Sequence, residues 1–324
     1  MILTVTANPT IDRVLFVRDF AMQDVVRAER EVVSPSGKGI DVSMILHALG
    51  AKTTAISLNA GLSGEMLAAL LAARNVPHVF ITAQGDTRIS VLLTDMTDGR
   101  QSTIIAPTLR AEPEHLGQML ALVFYQASQS WGLVCAGSLP PGLPTETWAR
   151  LLQTGRDQGL VTLLDSSGDG LRQGIAGLPH ILKINSRELA DLALDDSEPL
   201  PEWSAPDDLA GLAEALQARL GRWASDAIAI TLGSQGALLV SADAAYFAPI
   251  VKVPVVSPAG AGDAVAAGIM LARRRNQPWD EALALGVAAA AAVVMNEGTA
   301  DCTAEQVNTL LPQVEVRSLF AAVA

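Results

Sequence analysis

Short runs rich in β-branched residues alternate with helical patterns through most of this chain, and this alternation constrains its fold more than any other feature. Strands that alternate with helices pair in parallel, and the helices cover both faces of the sheet. The pattern therefore predicts an α/β fold with a mostly parallel central sheet between two layers of helices. The predicted strands are 2–7, 53–58, 132–136, 161–165, 181–184 and 227–232, and the predicted helices are 40–49, 65–75, 113–129, 145–155, 186–193, 207–224, 262–274 and 279–296.

Two segments, 12–34 and 86–105, break this alternation. They are rich in Val, Ile, Thr and Arg and carry no helix between their strands, and the second reads as a hairpin that turns at 97–99. We favour a small β layer outside the main sheet, which would act as a lid over a site. An edge extension of the main sheet is the alternative. The whole chain, 1–324, is predicted to form a single domain into which this lid is inserted.

Composition excludes several classes of function. The net charge of −12 argues against a nucleic-acid partner, because a phosphate backbone requires a basic face. The two cysteines, Cys135 and Cys302, are too few for a disulfide framework and suit a reducing cytoplasm. The start of the chain lacks a basic region typical of a signal peptide, and the Ala-rich run 282–295 is too short to span a bilayer comfortably. We therefore expect a cytoplasmic protein with no membrane association.

The segment 253–270 carries the clearest chemical signal. An apolar run ends at Pro258, and the small-residue turn 259–262 opens a helix whose first carboxylate is Asp263. A glycine turn at a helix N-terminus leaves N–H groups free to bind an anion. A carboxylate is electrostatically unfavourable there, so we interpret Asp263 as a base beside a phosphoryl group. The alternative is a tight strand-to-helix turn with no chemistry. The dinucleotide-binding pattern fails because Val265 occupies its third glycine position.

Three further motifs each have a functional and a structural interpretation. Asp12 follows the first strand and would accept hydrogen bonds from substrate hydroxyls, or it is an incidental acid after an Asn-Pro turn. The segment 36–41 starts a helix and either cradles a phosphate or sugar or leaves its lysine exposed. Ser138, in the turn 136–142, would contact a ligand phosphate. It is not a hydrolase nucleophile, because two flanking glycines are missing.

Two motifs point to the nucleotide side. In the segment 183–188, Asn185 and Glu188 have the spacing of a helix capping box. They would alternatively organise Mg²⁺ and its waters, because oxygen ligands suit a hard cation. The segment 231–237 reads as a strand, a glycine turn and another strand. The four histidines show no metal-binding spacing and are taken as structural.

The order of these motifs resembles that of the PfkB (ribokinase-like) sugar kinases over essentially the whole chain. In chain order they are N-P-x-x-D, G-K-G-I-x-V, T-R, G-S-L-P-P-G, D-S-S-G, N-x-x-E, L-G-x-x-G-A and G-A-G-D. The resemblance is strongest to the phosphosugar branch, the 1-phosphofructokinases and tagatose-6-phosphate kinases. It rests there on 8–12, 37–42, 87–88, 137–142 and 165–168.

This resemblance implies a ribokinase-like α/β/α fold and ATP- and Mg²⁺-dependent phosphorylation of a ketohexose phosphate. The substrate would be fructose 1-phosphate, tagatose 6-phosphate or fructose 6-phosphate. It also implies a homodimer formed through the lid. The resemblance implies three groups of site residues. The catalytic group is Asp263 with Gly260, Ala261 and Gly262. The group that binds the sugar phosphate is Asp12, Arg27, Gly37, Lys38, Gly39, Asp41, Arg88 and Ser138, and the group that binds the nucleotide is Lys183, Asn185, Glu188, Thr231, Gly233 and Gly236, in which Glu188 would contact Mg²⁺ through water.

Three positions depart from the pattern of that branch. Asp41 and Ser90 stand where asparagine is usual, and Pro258-Ala259 replaces a Thr-Val or similar pair. A carboxylate at 41 would repel a nearby sugar phosphate. Two alternatives therefore stay open. A kinase for an unphosphorylated sugar or nucleoside is favoured by Asp41 but opposed by Arg88 and Lys38. A sugar-phosphate sensor without turnover is opposed by the presence of Asp263.

Overall fold

The apolar runs of the sequence form the strands of two sheets, a large central sheet and a smaller second one. The computed structural model describes residues 1–22, 25–194, 196, 198–203 and 208–320. The strands are β1 (Ile2–Thr6), β2 (Thr10–Val17), β3 (Arg30–Ser36), β4 (Thr53–Asn59), β5 (His78–Thr82), β6 (Arg88–Asp95), β7 (Gln101–Ile105), β8 (Gly132–Ala136), β9 (Val161–Asp165), β10 (Ile181–Asn185), β11 (Ala227–Thr231), β12 (Ala237–Ser241), β13 (Ala245–Ala248) and β14 (Arg317–Phe320).

The helices lie between these strands, as the alternation of the sequence predicts. They are α1 (Lys38–Ala48), α2 (Gly61–Ala73), α3 (Pro113–Ala127), α4 (Thr147–Asp157), α5 (Gly168–Gly174), α6 (Ser186–Ala193), α7 (Ala210–Gln217), α8 (Ala261–Arg274), α9 (Trp279–Val294) and α10 (Ala304–Leu310). None of the helices in the described ranges is long and apolar enough to cross a membrane.

The central sheet is parallel through most of its width. Within the described residues it has ten strands in the order β14-β13-β12-β11-β10-β9-β8-β1-β4-β5. The seven neighbouring strands β11, β10, β9, β8, β1, β4 and β5 pair in parallel. Strands β12, β13 and β14 add an antiparallel edge beside β11. Consecutive residues of β1 point to opposite faces, so that Ile2 joins one hydrophobic cluster and Leu3 joins the other.

Helices cover both faces of this sheet. One cluster contains apolar side chains of α1, α2, α8, α9 and α10, and the other contains those of α3 to α7. All five residues of β1 are buried, as expected for a strand covered on both faces. The prediction of a three-layer α/β/α fold is confirmed.

The two segments that break the alternation form a second sheet. Its strand order is β3-β2-β6-β7 among the described residues, and its own small core contains Val14, Phe16 and Leu92. Val256 and Ala259, which lead into the glycine turn, pack against this core. These strands are therefore a separate layer and not an extension of the main sheet. The hairpin turn at 97–99 also lies where the sequence predicts it.

One predicted helix is much shorter than expected. Residues 207–224 were expected to be helical, but α7 ends at Gln217. The chain then turns through Gly221, whose φ of 83° lies in the left-handed region that favours glycine, and Leu220 forms a bridge with Ala224. Residue 207 lies outside the described residues.

Helices α8 and α9 pack closely because each has a glycine at the crossing. A Cβ atom added at Gly268 would lie 2.5 Å from the Gly286 Cα. We expect Gly268→Ala to lower the free energy of unfolding by about 1–3 kcal/mol, because overpacking forces the backbones apart. Urea denaturation measures the change.

Gly117→Ala is the matched control for this substitution. Gly117 is exposed in the middle of α3, and an added Cβ would meet nothing within 4 Å. Alanine is the better helix former, so this variant should gain about 0.5–1 kcal/mol. Equal stability changes in the two variants would contradict a tight α8–α9 contact.

Candidate active site

The predicted motifs meet at one edge of the central sheet. The carboxyl ends of the neighbouring parallel strands β1, β8, β9, β10 and β11 lie together there. In an open α/β sheet this edge is where ligands bind. The residues that it gathers at or just beyond those strand ends are Asn8, Ser138, Asp165, Asn185 and Thr231.

The glycine turn before α8 is held by the chain near Ala300. Gly260 caps the helix with a φ of 86°, and a Cβ atom there would lie 2.6 Å from the Ala300 nitrogen. The Ala300 N–H donates to the Ala259 carbonyl at 3.2 Å, and the Ala261 N–H donates to the Pro258 carbonyl at 3.2 Å. Pro258 and Ala259, which differ from the pair usual in that branch, thus hold the turn through hydrogen bonds to their backbone carbonyls.

Lys183 adds a cation beside this turn. A Cβ atom added at Gly262 would lie 3.1 Å from the Lys183 Nζ, so the ammonium sits against the first turn of α8. Lys183 is buried in the middle of β10. The N–H groups at the start of the helix and this ammonium are donors placed around the turn in a chain that is strongly acidic overall.

Asp263 is buried in the first turn of α8. Its Oδ1 has no hydrogen-bond partner among the described residues. Burial raises the pKa of Asp263 to about 7, with Asp165 adding to the rise while Lys183 and Lys38 oppose it. A carboxylate whose pKa lies near the working pH is suited to act as a general base.

Asp165 is the electrostatic centre of the site. Lys38 Nζ donates to its Oδ1 at 2.6 Å, and Lys183 Nζ donates to its Oδ2 at 2.6 Å. Burial alone would raise the pKa of Asp165, but the two ammonium groups outweigh burial and lower it. This residue was not among the predicted site residues. Its signal in the sequence is a carboxylate at the end of a buried strand in the D-S-S-G motif.

Lys38 links this carboxylate to a second one. Its Nζ also donates to Glu188 Oε1 at 3.0 Å. Burial lowers the pKa of Lys38, but Asp165 and Glu188 outweigh it and raise the pKa above its ordinary value. The predicted contact of Lys38 with the sugar phosphate stays a prediction. In the structure, the Lys38 ammonium contacts Asp165 and Glu188, and Lys183 contacts the same Asp165.

Asn185 and Glu188 form the capping box that their spacing predicts. Asn185 Oδ1 accepts from the backbone N–H groups of Arg187 and Glu188, each at 2.9 Å, and Glu188 Oε2 accepts from the Asn185 N–H at 2.8 Å. Asn185 lies directly beside Thr231 on the neighbouring strand. The two residues therefore share the sheet edge at which a nucleotide would lie.

The turn after Thr231 leaves space above the sheet edge. Gly233 has a φ of 58°, and an added Cβ would meet nothing within 4 Å. Gly236 is constrained, because a Cβ atom there would lie 2.1 Å from the Ala248 carbonyl oxygen. Gly233 is thus free to face a ligand, whereas Gly236 serves the β11–β12 hairpin.

The residues fit magnesium only through water. The described residues contain no group of three or more His, Cys, Asp or Glu side chains arranged to hold a metal ion. Both Glu188 oxygens already accept a hydrogen bond, one from Lys38 and one from Asn185. A carboxylate oxygen has a second lone pair, which can accept from a metal-bound water. Glu188 therefore fits the outer shell of Mg²⁺.

Two predicted sugar-binding acids are buried, Asp12 in β2 of the second sheet and Asp41 in the first turn of α1. Thr299 Oγ1 donates to Asp12 Oδ2 at 2.8 Å, and Ser36 Oγ donates to Asp41 Oδ2 at 3.1 Å. Burial raises the pKa of Asp12 despite the hydrogen bond from Thr299 and the neighbouring Arg88. Thr299 was missed, because no local pattern marks a residue 287 positions from its partner.

The two glycines around Lys38 allow α1 to approach β1. A Cβ atom at Gly37 would lie 2.8 Å from the Thr6 side chain, and one at Gly39 would lie 2.8 Å from the Val5 carbonyl oxygen. Gly37 also has a φ of 124°. These positions need glycine for packing, whatever contacts they make with a sugar.

The predicted phosphate-binding residues Arg88 and Ser138 are joined through Asn8. Arg88 Nη2 donates to the Asn8 carbonyl at 3.2 Å, and Asn8 Nδ2 donates to Ser138 Oγ at 3.1 Å. Burial lowers the pKa of Arg88, and Asp12 opposes that shift. Arg27, in contrast, is exposed between β2 and β3, where no hydrogen bond or ion pair with another described residue is found.

Ser90, which stands where asparagine is usual, is paired with another hydroxyl. The Ser90 and Thr10 hydroxyls lie 2.9 Å apart on the neighbouring strands β6 and β2. Both are buried, so each hydroxyl satisfies the other within the lid sheet.

The sequence profile of pfkB family carbohydrate kinases matches residues 3–306. The chain belongs to this family. It is therefore a phosphotransferase, as the order of its motifs predicts. The chain is 30% identical to the 1-phosphofructokinase of Bacillus subtilis, over 98% of this chain and 100% of that protein. It is 27% identical to a tagatose-6-phosphate kinase of Staphylococcus epidermidis, over 98% and 99% of the two chains.

A solved structure shows the same fold. The phosphofructokinase-2 of Escherichia coli in complex with substrates and products superposes with a TM-score of 0.85 at 28% identity, over 96% of this chain and 98% of that chain. The same Escherichia coli protein has also been solved in a tetrameric inhibited form.

The pKa of Asp263 predicts the pH dependence of the reaction. A base acts in its ionised form, so kcat/KM should rise about tenfold per pH unit as the pH increases towards the Asp263 pKa of about 7. Initial rates at subsaturating substrate across the pH range measure this profile. A profile that is flat through neutral pH would contradict an essential base with this pKa.

Proposed function

We propose that this PfkB kinase transfers the γ-phosphoryl group of ATP to a hydroxyl of a ketohexose phosphate. Fructose 1-phosphate is the first candidate, followed by tagatose 6-phosphate and fructose 6-phosphate. The observation that carries the phosphosugar assignment is the half-buried Arg88, joined through Asn8 to Ser138 beside Asp12. A guanidinium and a hydroxyl offset the charge of a bound phosphate. Relatives that act on phosphosugars support the same assignment.

Asp263 acts as the base in this proposal. It takes the proton of the attacking hydroxyl onto its unpartnered Oδ1. The N–H groups of Gly260 and Gly262, together with Lys183, stabilise negative charge on the phosphoryl oxygens in transfer, whereas the Ala261 N–H already donates to the Pro258 carbonyl. Donors that are already in place act most strongly here, because no reorganisation is needed during the reaction.

The nucleotide lies along the ends of β10 and β11 in this proposal. Asn185, Thr231 and Gly233 border it. Mg²⁺ bound with ATP supplies charge neutralisation on the phosphate oxygens. Glu188 would hold Mg²⁺ through water, and Lys38 lies between that carboxylate and Asp165.

Losing the base separates catalysis from binding. We expect Asp263→Asn to lower kcat by about 10²–10⁴-fold, since the amide cannot accept the proton. Nucleotide binding, measured by calorimetry, should persist. The buried Asp also carries a raised pKa, which costs stability as pH rises, so Asp263→Asn should be more stable than the wild type at alkaline pH. Full activity in this variant would overturn the assignment.

An ADP-release assay across sugars and sugar phosphates tests the substrate class. The ketohexose phosphates should give the highest kcat/KM, and Arg88→Met should reduce it for them while sparing any unphosphorylated acceptor. Turnover of unphosphorylated sugars or nucleosides alone would support the alternative kinase. Tight sugar-phosphate binding with no turnover of any acceptor would indicate a sensor.

The lid sheet offers a surface for a second copy of the chain. Its edge strand β7 is exposed, and Ile104 and Ile105 each leave 59% of their surface accessible. An exposed apolar edge strand commonly pairs with another chain. We therefore assign the homodimer interface to the lid.

The dimer assignment predicts the effect of charge on β7. The double variant Ile104→Lys with Ile105→Lys should convert the dimer to a monomer, because two buried charges would face the partner. Light scattering after size exclusion measures the mass. Tyr125→Lys, at an exposed position on α3, is the control and should leave the mass unchanged. A dimer that persists in the double variant would place the interface elsewhere.

The location in the cell follows from the same chemistry. Cys135 and Cys302 are both free and buried. ATP and phosphosugars are metabolites of the cytoplasm, and free thiols persist in its reducing environment. We assign the kinase to the cytoplasm.

A further inference from the structure

Asp41 has one carboxylate oxygen with no explained role. The residue lies in the first turn of α1 and is only 3% exposed. Its Oδ2 accepts a hydrogen bond from Ser36 Oγ, whereas its Oδ1 is buried and has no partner among the described residues. An unsatisfied buried polar atom is costly, so it needs an explanation. In a ligand site, the explanation is a group supplied by the ligand.

The charges that face Asp41 are negative. Asp263 approaches from α8 and Asp12 approaches from β2. The cations of the site act on those two carboxylates: Arg88 lies near Asp12, and Lys38 and Lys183 lie near Asp263. The Gly37 N–H and the Ser36 hydroxyl favour the ionised form of Asp41, but they are outweighed. Burial first, then Asp263 and Asp12, raise its pKa well above the ordinary range.

The site as a whole has more acidic groups than basic ones. Its carboxyl groups are Asp12, Asp41, Asp165, Glu188 and Asp263, and its cations are Lys38, Lys183 and Arg88. Asp165 and Glu188 are ion-paired, which leaves Asp12, Asp41 and Asp263, with Asp41 repelled by the other two. When carboxylates share a buried site, the least compensated one takes up a proton. Among these three, Asp12 is compensated by Arg88 and Asp263 by Lys183 and Lys38, whereas Asp41 faces the carboxylates of Asp263 and Asp12.

We propose that Asp41 is a neutral carboxylic acid that determines specificity. The hydrogen on its Oδ1 is donated in a hydrogen bond to an oxygen of the bound sugar phosphate. The inference rests on the proposed function, because the substrate is the sugar phosphate assigned there. A neutral acid does not repel a phosphate, so the carboxyl group at 41 no longer argues for an unphosphorylated substrate. It donates a hydrogen bond to an oxygen that carries no proton of its own, such as a ring or phosphate oxygen.

The first test is the pH dependence of KM for the sugar phosphate. The neutral form exists below the raised pKa of Asp41, so binding is complete there and is lost above it. In the wild type, KM should rise about tenfold per pH unit above that pKa. In Asp41→Asn this rise should disappear, because the amide keeps a donor at every pH. A KM that is flat or falls with pH in the wild type would overturn the proposal.

Asp41→Ala and Asp12→Asn separate donation from packing. Asp41→Ala lacks the donor, so KM should be at least tenfold higher at neutral pH, again without the alkaline rise. Asp12→Asn removes one facing carboxylate, so the alkaline rise of KM should begin at lower pH than in the wild type. A merely structural Asp41 would leave the onset of that rise unmoved, and this result would contradict the proposal.

A spectroscopic test distinguishes failure of this inference from failure of the proposed function. Infrared difference spectra of wild type minus Asp41→Asn, recorded at neutral pH without substrate, should show a protonated carboxyl band that shifts in D₂O. The band requires no turnover. If the band is present and no sugar phosphate is turned over, the protonation is right and the function is wrong. If the difference spectrum shows only a carboxylate band, the neutral acid is wrong.

Discussion

The buried carboxylate of Asp165 holds the site together. It receives two ammonium groups, one at each oxygen and both at 2.6 Å, from Lys38 at the start of α1 and from Lys183 in the middle of β10. Breaking such a buried pair leaves an uncompensated charge, which is far more costly than losing a surface ion pair. This carboxylate therefore fixes the relative positions of α1, β9 and β10, and through Lys38 and Glu188 it also fixes the start of α6.

The same ion pairs set the protonation states around the sugar site. Both lysines are engaged by Asp165, so they compensate Asp263 only in part, and burial keeps its pKa near neutrality. Asp263 in turn faces Asp41. An arrangement of this kind costs stability, since buried acids are held without full compensation. Acid–base chemistry requires such incompletely compensated acids. The loss of stability arises at residues on the carboxyl edge of the sheet rather than in its core.

Local patterns predicted the elements that carry the chemistry, and long-range contacts decided the rest. The glycine turn before Asp263 and the Asn185–Glu188 capping box are short-range features, and both are present as predicted. The contact of Thr299 with Asp12 and the bridge at Asp165 join segments that only the completed topology brings together. The end of α7 was misjudged because Gly221 takes a left-handed conformation in a stretch with helical spacing.

The segment 298–300 connects the second sheet to the glycine turn before α8. A Cβ atom at Gly298 would lie 3.0 Å from the Ser34 hydroxyl of β3, and the Thr299 hydroxyl donates to Asp12 of β2. The next residue, Ala300, donates to the Ala259 carbonyl and packs against Gly260. Three consecutive residues thus touch both the second sheet and the glycine turn before α8. Because these residues are buried and closely packed, a shift of the second sheet would be transmitted to the geometry of that turn.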